Sequence, residues 1–329
     1  MKFLSVLSTI LACASAVCAE EYPRNFLSLS AENDVGFSDR YYTNGLKIQY
    51  TNEGCDFWTN RLQFALLDLL PISGEHKKRF QTLALGQNIN VPQDINMSVP
   101  PADDRPYAGW LYLNAASHLA DENSMDTFAA TFGIVGRHSY AGDIQRWWHK
   151  AFDFDTPMGW DHEIADEFGF VFSYNHAERV WRADLGGGCA ADAVASAGAD
   201  LGNVICRANL ALLLRAGYAL PWTFAANKFE YASNSDVEAK FEDSFFSLYF
   251  QAGAAARFVG YDISLNGNAF ADCDVGVSPE WFVCEPVAGV SARLGRAQID
   301  LCVNYRTREF RTQRIGHHTF WSLTLKYMF

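Results

Sequence analysis

The last segment of the chain constrains its fold most. Trp321, Leu323, Leu325, Tyr327 and Phe329 alternate with Ser322, Thr324, Lys326 and Met328, so a strand there has one apolar and one polar face. Beyond the first residues, no apolar run approaches the roughly 20 residues that a membrane-crossing helix needs. A closed barrel is then the only way for such strands to enter lipid, which offers no partner to an unpaired backbone amide or carbonyl. Aromatic residues make up 15% of the chain, a content that suits strands ending in girdles at two membrane interfaces.

A terminal Phe on an amphipathic strand resembles the assembly signal of bacterial outer-membrane barrels. The other end agrees: Lys2, an apolar run over 3–17 and Val17-Cys18-Ala19 before Glu20 have the layout of a secretory signal. Residues 1–19 are expected to be removed, leaving 20–329 as one outer-membrane β-barrel. A lipoprotein site at Ile10-Leu11-Ala12-Cys13 is the rival reading, disfavoured by Leu11 two residues before the cysteine.

Strand-like segments fall near 25–32, 44–53, 79–90, 107–119, 126–136, 166–178, 205–216, 244–258, 260–270, 284–294, 297–308 and 318–329. The expected fold is therefore all-β, a transmembrane antiparallel barrel of about 12 strands, the even number such barrels use. With the N-terminus in the periplasm, 33–43, 91–106, 137–165, 217–243, 271–283 and 309–317 become outer loops. The inner connection 54–78 carries Trp58, Leu62, Phe64, Leu67 and Leu70 and room for a short helix. Residues 179–204, rich in Gly and Ala, read as a long inner connection. A soluble β-sandwich would leave the terminal aromatic strand unexplained.

The formal charge of −12 and a pI near 5.1 exclude a phosphate-backbone binder, which needs a basic stripe, so no nucleic-acid partner is expected. Cys55, Cys189, Cys206, Cys273, Cys284 and Cys302 follow the signal, an even set in an oxidising compartment. Cys273 with Cys284 and Cys189 with Cys206 are the short-range pairing candidates. No CxxC-like spacing points to zinc. Nothing in the sequence encodes an oligomeric state.

The densest chemistry lies in Ala31-Glu32-Asn33-Asp34-Val35-Gly36-Phe37-Ser38-Asp39-Arg40-Tyr41-Tyr42-Thr43-Asn44-Gly45. Leu27, Leu29 and Ala31 alternate with polar residues before it, as do Leu46, Ile48 and Tyr50 after it, so it is a loop at one rim of a sheet. Continued alternation puts Glu32 and Asp34 on the polar face of one strand and Thr43 on that of the next. A carboxylate and a hydroxyl then meet across the rim. Asp34 has two readings: a ligand for a hard, oxygen-seeking cation, with Asp153 or Asp155 as second carboxylate, or an acid in an Asx-turn with Gly36. There is no EF-hand spacing.

In the third outer loop, Asp143-Ile144-Gln145-Arg146-Trp147-Trp148-His149-Lys150-Ala151-Phe152 predicts a short helix, capped by Asp143 and with an apolar stripe of Ile144, Trp148 and Ala151. Gln145 and His149 share a face. An imidazole with an ordinary pKa of about 6.5 suits general-base work, and the helix can bring His149 toward Asp34 and Thr43. His162 is a second candidate. His317 and His318 read as interfacial polar residues, and His76 as part of a charged inner turn.

These motifs, together with Arg105-Pro106-Tyr107-Ala108-Gly109-Trp110, Gly133-Ile134-Val135-Gly136, Gly159-Trp160-Asp161, Leu201-Gly202-Asn203, Leu265-Asn266-Gly267-Asn268 and Arg306-Thr307-Arg308-Glu309-Phe310, resemble the outer-membrane lipid A 3′-O-deacylase family over nearly the whole chain beyond the signal. The resemblance implies a twelve-stranded barrel that removes the 3′-linked acyloxyacyl group from lipid A in the outer membrane, with Ca²⁺ as cofactor and lipopolysaccharide as partner. It implies His149 as general base, with Asn33, Asp34 and Thr43 as the polar cluster beside it and Asp34 and Asp155 holding calcium. The chain departs from the pattern in the bulky Trp147-Trp148 pair and in Glu163, where an amide is expected.

Two other function classes stay open to the sequence. A serine-type outer-membrane phospholipase would need a nucleophile, but there is no Gly-x-Ser-x-Gly elbow, which leaves Ser38 or Ser139. A non-enzymatic porin or adhesin would need neither the Asn33-Asp34 pair nor a histidine-bearing rim helix.

Overall fold

The computed structural model describes residues 25–329 except 37, 55–60, 69–76, 225–236, 242–243 and 273–274. The signal region, Trp58, Leu70, His76, Cys55 and Cys273 lie outside the described residues. Among the described residues, twelve strands form a closed antiparallel barrel: β1 Asn25–Asn33, β2 Tyr41–Glu53, β3 Lys78–Val91, β4 Ala108–Ala120, β5 Ser124–Val135, β6 Glu167–Gly186, β7 Cys189–Gly202, β8 Ile205–Tyr218, β9 Phe246–Asp262, β10 Phe282–Leu294, β11 Ala297–Thr307 and β12 His317–Met328. Each strand pairs with its sequence neighbours, and β1 closes on β12.

Alternation assigns the two faces. In β1, Ser28, Ser30 and Glu32 are buried in the lumen, whereas Leu27 and Leu29 point outward and are more than 40% exposed. Leu113, Phe168 and Phe250 are each more than 60% exposed on the outer wall. An apolar wall around a polar lumen is the inverse of a soluble barrel and is stable only with lipid as solvent. The lumen is crossed by ion pairs: Glu285 binds Arg257 and Arg306 at 2.9 and 2.5 Å, and Glu309 binds Arg306 and Arg105 at 3.1 and 3.3 Å.

The strand count agrees with the sequence reading, but one strand is exchanged. The expected strand 260–270 is instead the end of β9 followed by a helical turn, Ile263–Asn266, whose second amide, Ser264 N, donates to the capping Asp262 carboxylate at 2.9 Å. The missing strand is β7, inside the stretch read as a long inner connection. A two-residue turn, Gly187-Gly188, with φ of 63° and 79°, joins it tightly to β6, and positive φ at both positions is what such a hairpin demands. Alanines on both faces of β7 erase the apolar-polar contrast that marks other strands.

The exchange also reverses one loop. The stretch expected as outer loop 217–243 emerges beside the chain termini, where Phe224, Val237 and Ala239 pack on Phe26, Phe80 and Met328. Cys189 and Cys206 are both free and lie at opposite ends of their strand pair, Cys189 opposite Tyr218 and Cys206 opposite Leu201, which rules out the disulfide suggested between them.

The inner helix is present as α1, Arg61–Asp68. It buries Phe64 and Leu67 against Leu119, with Phe128 and Tyr174 packed alongside. The outer helix, α2, covers Ala141–Phe152. Its cap differs from the expectation: Tyr140 stands at the N-cap with φ 58° and no side-chain cap bond, while Asp143 pairs with Arg146 at 2.8 Å. Its buried face is formed by Ala141, Gly142, Gln145 and His149, the last two sharing a face as expected, with the stripe of Ile144, Trp148 and Ala151 exposed. The polar face of α2 leans on the rim and the apolar face looks outward.

Candidate active site

The first outer loop is a hydrogen-bonded frame around one acid. Asn33 is spent on shape: its amide nitrogen donates to Thr43 O at 2.9 Å and its oxygen accepts from Val35 N at 2.7 Å, tying the end of β1 to β2. The Asx-type contact thus belongs to Asn33. Asp34, 1% exposed, accepts from Thr43 Oγ1 at 3.0 Å, Ser38 Oγ at 2.9 Å and Arg40 N at 3.0 Å. Thr43 is the bulge residue where the β2/β3 register shifts between Tyr42 and Asn44, and a bulge re-aims a side chain. The expected meeting of carboxylate and hydroxyl across the rim is present.

Burial pushes the Asp34 carboxyl up to about 7, aided by the neighbouring Asp39 charge and opposed by the bonds from Arg40 N, Ser38 and Thr43. Asp39 is also raised, first by burial and then by Asp155, against the pull of His149 and Thr43. It was not singled out in the sequence, although it stands four residues before Thr43 in a motif that carries the family resemblance. Its Oδ1 lies 3.0 Å from Thr43 Oγ1 and its Oδ2 3.7 Å from His149 Nε2.

His149 sits in the last turn of α2. The helix stops at Asp153, whose φ of 60° is the left-handed conformation that reverses a chain at a helix end. The reversal returns Asp155, and its backbone oxygen lies 2.5 Å from His149 Nδ1. A carbonyl can only accept, so Nδ1 carries the proton and the neutral ring presents Nε2 with a free lone pair. A cavity of about 340 Å³ lies in front of it, walled by Asn33, Ser38, Asp39, Thr43, Trp148, His149, Phe154 and Asp155, among others. All the sequence-derived site residues line it except Asp34, which lies beneath it bonded to Thr43. His162 lies away from this cavity. Ser38 donates to Asp34, and the buried Ser139 to Gly136 O, so neither is paired with the histidine as a nucleophile would be.

The remaining motifs hold the loops. Gln145 accepts from Trp160 Nε1 at 2.7 Å, and Gly142 lies so close to that indole that a Cβ would approach it to 2.8 Å. Asn203 donates to Glu167, which accepts the amides of Phe270 and Ala271. Arg105 reaches Ser264 and Glu309. Asn268 pairs with both backbone groups of Ala165, each at 2.8 Å, fastening the fifth outer loop to the third. Asn268→Ala should loosen the third loop by about 1–3 kcal/mol, read as faster amide exchange at Ala165, while the barrel amides keep their protection.

Against this geometry, a family model described as outer membrane protein LpxR matches residues 3–329. The chain belongs to the LpxR family. The structure described as LpxR from Salmonella typhimurium superposes with a TM-score of 0.75 at 18% identity, covering 92% of this chain and 100% of that one. The β domain of the Bordetella autotransporter BrkA, at TM-score 0.44 and 14% identity over 94% and 99% of the two chains, is a more distant barrel. A search of curated protein sequences finds no significant match. This LpxR family member is an outer-membrane β-barrel, as its lipid-facing wall requires.

The part-buried Glu163 carboxyl has a measurable consequence. Glu163 Oε2 is buried without a partner, and burial, with the nearby Asp166 charge, pushes the carboxyl up to about 7. An acid whose folded pKa lies above its unfolded one costs nothing below the unfolded value near 4.5 and weakens the fold as pH rises through about 7. Glu163→Gln should therefore slow amide exchange around 160–166 at pH 8, relative to native protein, and change little at pH 4.5. A gain of equal size at both pH values would show that the charge is not the cause.

Proposed function

We propose that the protein is an ester hydrolase that removes the 3′-linked acyloxyacyl group from lipid A in the outer membrane, using water activated by His149. The observation that carries this reading is the fixed tautomer: Asp155 O holds Nδ1–H, and Nε2 opens onto the acid-walled cavity. His149 Nε2 takes a proton from water as the hydroxide attacks the ester carbonyl. The imidazolium, steadied by Asp39 3.7 Å away and by the Asp155 carbonyl, then returns the proton to the departing sugar oxygen. The products are a free acyloxyacyl acid and a lipid A hydroxyl, and no acyl-enzyme forms.

The donor set fits calcium. Asp39 and Asp155 line the cavity with Asp34 beneath them, Asp34 and Asp39 are raised by burial and by a neighbouring acid, and among the described residues no Lys or Arg forms an ion pair with any of the three. Among the described residues no group of three His, Cys, Asp or Glu side chains could hold a metal ion by itself, so backbone oxygens, water and substrate would have to complete a calcium shell. Asp34 and Asp155 would hold the ion, with Asp39 beside them, and Ca²⁺ there would supply charge stabilisation for the ester oxyanion.

A pore finds less support, because the ion pairs of Arg105, Arg257 and Arg306 cross the lumen. Mass spectrometry of lipid A from cells with and without the protein tests the proposal. Loss of the 3′-linked acyloxyacyl mass is expected only with the protein present, and identical lipid A in both strains would refute it.

A further inference from the structure

The cavity has two unlike walls. The first outer loop gives it acids, amides and hydroxyls, while α2 and the chain after it give Trp148 and Phe154. These two rings belong to a longer series that reaches the histidine. Trp147 lies 6.4 Å from Trp148, Trp148 4.5 Å from Phe152, Phe152 6.3 Å from Phe154, and Phe154 5.8 Å from the imidazole of His149, between ring centroids. All four carbocyclic side chains are 39–66% exposed. The packing of α2 does not need them, since its buried face is Ala141, Gly142, Gln145 and His149.

We infer that the Trp147-Trp148-Phe152-Phe154 series is the seat of the scissile acyl chain and sets the enzyme's preference for long acyl groups. This rests on the ester hydrolase reading and extends it to substrate choice. A lipid ester at Nε2 carries a polar sugar phosphate on one side of the carbonyl and an alkyl chain on the other. The cavity is divided in the same sense: the polar part meets the first outer loop, and the chain runs from His149 over Phe154 and Phe152 to the tryptophans. An alkyl chain laid on these rings leaves water, and its binding strengthens with each buried methylene, so chain length is read by the number of rings covered. The tryptophan pair lies at the far end of the series.

The test uses the full-length protein in detergent micelles, with tetradecanoyl and butanoyl esters of one glucosamine phosphate. Trp148→Ala and Phe152→Ala should lower the tetradecanoyl-to-butanoyl ratio of kcat/KM about tenfold, mainly through KM, and Phe152→Leu should restore most of it. Trp281→Ala, which alters a rim tryptophan near Phe258 and Phe282, should leave the ratio unchanged. Equal losses on both esters, or an unchanged ratio in the α2 variants, would overturn the proposal. Quenching of tryptophan fluorescence by a bromotetradecyl ether analogue gives a second readout without turnover. Quenching that disappears in a Trp147→Phe, Trp148→Phe double variant, in a protein that cleaves neither ester, would keep the acyl seat and reject the hydrolase. No difference in quenching between native and double variant would reject the seat itself.

Discussion

His149→Ala is expected to reduce lipid A deacylation by about a hundred- to ten-thousandfold, the usual contribution of a positioned general base, while the barrel still assembles. The ring stands on the rim, bonded to Asp155 O and facing Asp39, outside the strand ladder that closes the wall. His149→Gln separates the two roles of the ring. Its amide can still donate to the Asp155 carbonyl, but it has no basic nitrogen, so it too should be inactive. Native heat-modifiable mobility on gels combined with untouched lipid A would be the expected result. Normal trimming by either well-folded variant would remove the histidine from the mechanism.

Excess chelator is expected to bring activity to background, and Ca²⁺ to restore it better than Mg²⁺. The acids around the cavity are spread over two loops, and such a set suits the adaptable shell of calcium more than the strict octahedron of magnesium. Zn²⁺ should fail, since the expected ligands are oxygens and zinc favours nitrogen and sulfur. Asp34→Asn and Asp155→Asn should raise the Ca²⁺ concentration needed for half-maximal rate, whereas His149→Ala should leave Ca²⁺ binding, followed by calorimetry, in place. Full turnover in chelator would exclude the ion.

Strand periodicity made most of the barrel legible, because a wall between lipid and a polar lumen must alternate at every second residue. It failed where that contrast is absent. In β7, Ala191, Ala193, Ala195, Ala197 and Ala199 share one face and Ala190 stands on the other, and the inward acids Asp192 and Asp200 are held by Arg215 and Arg207. Ile263 and Leu265 imitate a strand but are buried in a capped helical turn. Within the site, the helix expected in the third outer loop does bring His149 to the first loop. The part of Asp39 was not foreseen, because a loop acid has no period, and its Oδ2 comes within 3.7 Å of His149 Nε2 only where the two loops meet at one cavity. The apolar stripe of α2 lies together on one exposed side, because an apolar helix face that signals burial in water can face outward at a membrane rim.

The packing of Phe224, Val237 and Ala239 beside the chain termini bears on where a reaction product can go. Among the described residues, those side chains pack at the end of the barrel opposite the histidine, and the ion pairs of Arg105, Arg257 and Arg306 cross the lumen between the two. On the proposed reaction, a carboxylic acid cut from its sugar at the rim would face that polar lumen and apolar cluster on any route toward the cell interior. It would partition into the leaflet from which its parent lipid came, and the cell would lose that carbon to its own surface unless another protein retrieved it.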